Sequence, residues 1–276
     1  MVSRRPYRKP SLVDGDGMQP AALASDPSPR VCTELNSDFP WGDFDSSWYY
    51  DHNYKVLRDD DRQIVEVVRD FFATLDLSSH GRYRNGIDVG SGANLYPTLT
   101  MLPLCDEITL YEYSASNVSW LQREIWSYSS SWDAFWEILV KEPLYKSIDS
   151  LQETLTARVR VKQGSIFDLP KALWDIGTMF FVAESISSTP SEFQTALRSF
   201  IRSLRPGAPF AAAFMEKSLG YTVGTHRFPA VAITVNDVEN CLGGDTKDLE
   251  TYRIGLTSNP LRAGYGGMIL ATGRLA

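Results

Sequence analysis

The chain has 276 residues, 43% of them hydrophobic and 22% charged, with a formal charge of -7. That apolar content supplies a large core without staples and excludes global disorder. The acidic balance, with basic residues dispersed apart from Arg4, Arg5, Arg8 and Lys9, excludes a general phosphate-backbone binder, so no nucleic-acid partner is expected.

Cys32, Cys105 and Cys241 lie too far apart for a disulfide framework or a CxxC site, which fits a reducing cytoplasm. His52, His80 and His226 have no chelating spacing, so no metal is expected. The basic N-terminus continues into Ser, Asp and Gly rather than an apolar stretch, and no run of about 18 apolar residues suggests a membrane partner.

In chain order, residues 1–38 are rich in Pro, Ser, Asp and Gly without a hydrophobic period and read as a flexible tail. Aromatic residues then crowd residues 39–57, from Phe39 and Trp41 to Tyr54, as a segment suited to covering an apolar surface. Asp59, Asp60 and Asp61 give an N-cap and first-turn signal for an amphipathic helix to about residue 77. Residues 86–90 form a short buried strand running into glycines, 95–101 a short helix, 107–113 a second strand and 117–128 a helix. Residues 129–157 carry Trp132, Phe135, Trp136, Ile138 and Leu139 at helical spacing and exceed a minimal crossover, so an inserted helical hairpin is expected. Strands follow at 158–162, 174–182 and 209–215, with a helix over 193–204, and a helix at 235–242 precedes a closing strand pair at 249–256 and 266–272. Strands alternating with helices predict an α/β fold with a mostly parallel seven-stranded sheet.

The chemistry concentrates at Asp88-Val89-Gly90-Ser91-Gly92, with Glu112 near the end of the second strand. Glycines let the backbone approach a ligand at the first strand-to-helix turn, and an acid about 20 residues on accepts ribose hydroxyls. A dinucleotide fold needs a third glycine where Leu95 stands, which disfavours pyrophosphate and a nicotinamide-dependent oxidoreductase. S-adenosylmethionine has no phosphate, and a single GxG turn suffices for it.

The chain resembles the nicotinamide and phenylethanolamine N-methyltransferase family, particularly an actinobacterial small-molecule branch. The motifs that carry the resemblance are YYDHNYK at 49–55, IDVGSGANLYP at 87–97, EYSASN at 112–117, GSIFDLP at 164–170, FVAES at 181–185, LRPGAPF at 204–210 and SLGYTVGTHRF at 218–228. It implies a Rossmann-like class I methyltransferase domain over 39–276, with an N-terminal aromatic lid at 39–57 and the helical insertion at 129–157, and S-adenosylmethionine as cofactor.

By that resemblance, Tyr49, Tyr54 and Tyr96, with Gly90 and Ser91, hold the methionine carboxylate. Glu112 holds the ribose, Asn117 contacts the adenosine, Tyr113 packs on adenine, and Ser165 and Ile166 stand where the family often has Asp for the adenine amino group. Asn117 is also a candidate helix cap. Phe181, Glu184 and Tyr221 are expected in the acceptor pocket, and Glu216 and Tyr221 in catalysis, Glu216 orienting a cationic amine or taking a proton. The seven tryptophans and 13 phenylalanines favour a planar apolar acceptor, and the resemblance implies a small, aromatic, nitrogen-containing one. Methylation of indole C3 in a tryptophan-derived product such as a cyclodipeptide is one expectation, N-methylation of an amine or pyridine a second, and an idle adenosylmethionine-binding module a third. Val182-Ala183-Glu184-Ser185 stands where nucleic-acid methyltransferases carry a Pro-Pro motif.

Overall fold

A computed structural model describes residues 34–77, 81–256, 260–261 and 264–276. The chain divides into two units, Met1–Cys32, which lies outside the described residues, and Thr33–Ala276, which carries the sheet and its helices.

The sheet grows from buried apolar runs. β1 (Tyr83–Val89), β2 (Cys105–Glu112), β3 (Val159–Gln163), β4 (Ile176–Phe180) and β5 (Pro209–Glu216) are parallel, and β4 and β5 are buried at every position. Burial on both faces is why their sequences run apolar instead of alternating. β9 (Gly267–Leu275) returns antiparallel to β5, and β8 (Thr246–Ile254) pairs antiparallel with β9 on the edge. The seven-stranded order is β3-β2-β1-β4-β5-β9-β8. Strand order reverses between β1 and β4, which opens a crevice at their carboxyl ends.

Helices cover both faces. α2 (Asp59–Ala73) buries Ile64, Val65, Val68 and Phe72. On the other face, α7 (Pro190–Ser203) starts with Pro at N1 and buries Phe193, Ala196, Leu197, Phe200 and Ile201. α3 (Tyr96–Met101) follows β1, α4 (Ala115–Ser127) follows β2, and α8 (Val235–Leu242) precedes β8. The segment expected as a lid contains α1 (Ser46–Asn53) after two short 3-10 turns.

Several expectations change. Residues 1–33 of the expected tail lie outside the described residues, while Glu34 and Asn36 hydrogen-bond at and just before the start of α7. Glu34 N donates to Ser188 Oγ at 2.9 Å and Asn36 N to Glu192 Oε2 at 2.8 Å. The aspartates at 59–61 provide first-turn charge, while the cap position belongs to Arg58 with no side-chain cap. The insertion is helical, as α5 (Asp133–Leu139) and α6 (Leu151–Arg158), but it forms no hairpin, because α5 packs on α2 and α6 on α4. A two-stranded hairpin of β6 (Tyr221–Val223) and β7 (His226–Phe228) stands apart from the main sheet.

Candidate active site

The turn after β1 needs its glycines. Gly90 and Gly92 have φ of +65° and +57°, a region costly to side chains. A Cβ on Gly90 would also lie 2.6 Å from both methyl carbons of Val182. Asp88 ties this turn to its neighbours: its Oδ1 accepts from Thr178 Oγ1 on β4 at 2.8 Å and its Oδ2 from Thr98 Oγ1 on α3 at 3.3 Å. Burial pushes the Asp88 carboxyl up to about 7, against the hydrogen bonds that favour its charge.

Glu112 closes the other side of the crevice. Its Oε2 accepts from Gly92 N at 2.8 Å and its Oε1 from Ser114 N at 2.8 Å, with Asn117 Nδ2 3.4 Å from Oε1. Burial raises its pKa, and those backbone and side-chain donors oppose the rise. The carboxylate is thus locked in one orientation, with its remaining acceptor capacity available to the cavity it lines.

The segment expected as a lid is clasped to the start of α4. Ser114 Oγ donates to Trp41 O at 2.7 Å, Ser116 Oγ to Phe44 O at 2.8 Å, and Ser46 Oγ to Asn117 Oδ1 at 2.6 Å. Rings from the lid and the β6–β7 hairpin then meet: Trp41 and Phe44 lie 4.9 and 5.2 Å from Phe228, on which Tyr221 stacks at 5.5 Å. Tyr49 lies 6.2 Å from Tyr221, completing an aromatic roof.

Beneath it is a cavity lined by Gly90, Ser91, Glu112, Tyr113 and Asn117 on the sheet side and by Tyr49, Tyr54 and Tyr221 on the roof side. Ser165, Ile166 and Phe181 line it as well. Ser165 Oγ also accepts from Phe167 N at 3.2 Å, and Phe181 holds φ at +62° where β4 ends, its N–H donating to Ala213 O at 2.7 Å. Asn117 is not the cap of α4, since that position is Ser114; it sits one turn in, between Glu112 and the lid.

A smaller chamber adjoins the first. It shares Tyr49, Tyr54, Phe181 and Ser185 with the main cavity and adds Asn53, Asp61, Met215 and Met268.

Three expected site residues line neither space. Tyr96 is fully buried, its ring stacked on Phe135 at 5.2 Å and its hydroxyl donating to Asp61 Oδ1 at 3.0 Å. Glu216 follows Met215 on β5, and side-chain alternation turns it away from the chamber that Met215 lines. Its Oε2 accepts from Arg253 Nε at 2.7 Å. Glu184 is fully buried; its Oε1 accepts from Met215 N at 2.9 Å and its carbonyl from Val231 N at 2.7 Å, pinning the loop after β4. Glu184→Ala is therefore expected to cost about 1–3 kcal/mol by orphaning a buried N–H. Urea denaturation checks this, and an unchanged midpoint contradicts it.

Sequence reasoning missed the clasp of Ser114 and Ser116, Asn53, and the placement of Asp61. Adjacency to the EYSASN motif was the available signal for the serines. For Asp61 there was none, since a first-turn acid reads as helix chemistry.

A glycine turn at a topological switch point, with a locked acid on the next strand and an aromatic roof above, suits the S-adenosylmethionine of a methyltransferase. The chain belongs to the NNMT/PNMT/TEMT family, whose model matches residues 37–262. It is 26% identical over 200 residues to phenylethanolamine N-methyltransferase of Macaca mulatta, covering 66% of this chain and 68% of that one. Its fold is similar to that of an S-adenosylmethionine-dependent methyltransferase from Clostridium acetobutylicum ATCC 824, at TM-score 0.51 and 11% identity over 83% of this chain and 97% of that one. N-methyltransferase NodS from Bradyrhizobium japonicum WM9, in complex with S-adenosyl-l-homocysteine, matches at TM-score 0.46 and 15% identity, over 83% of this chain and 98% of that one.

Proposed function

We propose that this methyltransferase modifies a small aromatic acceptor at nitrogen. One observation carries the reading: the smaller chamber combines Tyr49, Tyr54 and Phe181 with two methionines, and its polar lining includes two groups of opposite use, Asn53 and the Asp61 carboxylate. The aromatic walls of the main cavity suit a planar ring, and the carboxylate in the smaller chamber, which has room only for a small group, suits a nitrogen that bears protons. The name of the macaque relative, an amine N-methyltransferase, supports the same acceptor class.

S-adenosylmethionine supplies an electrophilic methyl on a sulfonium. In this reading Glu112 accepts both ribose hydroxyls, Asn117 faces the adenosine, and Tyr113, Ser165 and Ile166 face the adenine. Gly90, Ser91, Tyr49 and Tyr54 receive the methionine end, and of these Tyr49 and Tyr54 also line the smaller chamber. Phe181 and Tyr221 bound the acceptor. The lid and hairpin exclude water and align nitrogen with the methyl, which lowers the barrier chiefly by orientation.

Incubation with labelled S-adenosylmethionine and a panel of tryptamine, phenylethylamine, indole and nicotinamide tests the reading by mass spectrometry and NMR. The expected product carries the methyl on nitrogen. A methyl on indole C3 would replace this reading with carbon methylation, and a panel left unmodified would overturn the aromatic-nitrogen acceptor.

A further inference from the structure

Glu216, expected to handle a proton, is committed to Arg253, and Glu184, expected in the acceptor pocket, to the Met215 amide. Asp61 is different. It is 2% exposed, yet it lines the smaller chamber, whose walls share Tyr49, Tyr54, Phe181 and Ser185 with the main cavity. Four neighbouring residues set its surroundings. Asp60 precedes it on α2 and Arg58 lies just before that helix. Tyr96 on α3 donates to it at 3.0 Å, and Tyr54 after α1 lies 5.9 Å, ring to ring, from Tyr96. Arg58 is held by Asp60, with Nε 3.2 Å from Oδ1 and Nη2 3.5 Å from Oδ2, so its charge is shared with the neighbouring carboxylate.

We infer that Asp61 is the acid–base residue on the acceptor side, oriented by Tyr96, and that it takes a proton from the acceptor nitrogen before methyl transfer. The inference rests on the aromatic-nitrogen acceptor reading. An amine arrives as R–NH3+, whose lone pair is engaged. The N–H bond breaks toward Asp61, giving R–NH2 and a neutral carboxylic acid. The freed lone pair forms the N–C bond to the methyl while the C–S pair returns to sulfur, leaving a neutral thioether and R–NH2+–CH3. Asp61 then loses its proton to solvent.

Burial, followed by the charge of Asp60, pushes the Asp61 carboxyl up to about 7, while Tyr96 and Arg58 pull the other way. The same burial disfavours an ammonium, so the two groups approach each other in proton affinity and the neutral pair becomes accessible. Tyr96 acts here as a positioning residue, which gives a reason for a hydroxyl held fully inside the protein.

The test uses the full chain, saturating S-adenosylmethionine and tryptamine as the acceptor probe, with kcat/KM measured from pH 5 to 9. In the wild type, kcat/KM is expected to rise through an inflection near 7. Asp61→Asn is expected to lower it by about 100-fold or more and to remove that inflection, with affinity for S-adenosylhomocysteine unchanged within about twofold. Tyr96→Phe, which deletes a donor to the carboxylate, is expected to move the inflection to higher pH, an effect a purely structural tyrosine would not produce. Activity of Asp61→Asn within about threefold of wild type, or an inflection it retains, overturns the assignment of Asp61 alone. No methylation of tryptamine by the wild type overturns the acceptor reading and this inference with it.

Discussion

Glu112→Ala is expected to weaken S-adenosylhomocysteine binding by about 2–4 kcal/mol, some 30- to 1000-fold, with the chain still folded. The magnitude follows from two hydrogen bonds to a charged acceptor at about 1.5–3 kcal/mol each, less the rearrangement that removal allows. Glu112→Gln is expected to fail comparably, for a separate reason. Both carboxylate oxygens already accept backbone N–H groups, from Gly92 and Ser114 at 2.8 Å. A glutamine amide would turn its NH2 toward one of them, donor against donor. Calorimetry on both variants, beside circular dichroism, checks this. Wild-type affinity in either variant would remove Glu112 from the cofactor site.

Gly90→Ala carries the second large effect. The left-handed backbone at φ +65° costs an alanine about 1–2 kcal/mol, and a Cβ 2.6 Å from two carbons of Val182 adds an overpacking cost of about 1–3 kcal/mol. The expected loss in stability is about 2–5 kcal/mol, and affinity for S-adenosylhomocysteine should fall with it, because Val182 and Gly90 both line the cavity. Adding Val182→Ala removes the clash and leaves the φ cost, so the double variant should recover part of the loss. Urea denaturation of the wild type and the three variants gives the coupling directly. A double variant no better than Gly90→Ala would show that backbone conformation, not contact with Val182, dictates glycine here.

Much of the architecture was legible because burial writes itself into residue type. β4 and β5, covered on both faces, run apolar without alternation, and the amphipathic α2 and α7 repeat with helical period. The glycine turn and Glu112 were legible because one conformation and one acceptor geometry each demand few residue types. The β6–β7 hairpin was hidden, since three-residue strands leave no period to detect.

Side-chain direction was the main source of error in the site. Tyr96 and Glu216 lie near the crevice in sequence, but Tyr96 is drawn to Asp61 and Glu216 points to the far face toward Arg253. Asp61 shows the converse. A first-turn acid on a helix is ordinarily solvated, and only the packing of α1, α2 and α3 turns this one inward beside Tyr54 and Tyr96.

The most direct measurement of the central claim is isothermal titration of the wild-type chain with S-adenosylhomocysteine, which reports the site between Gly90 and Glu112 without requiring an acceptor. Micromolar binding, about -8 kcal/mol, is the predicted result. A folded chain that binds no S-adenosylhomocysteine would contradict the assignment of this crevice as a cofactor site.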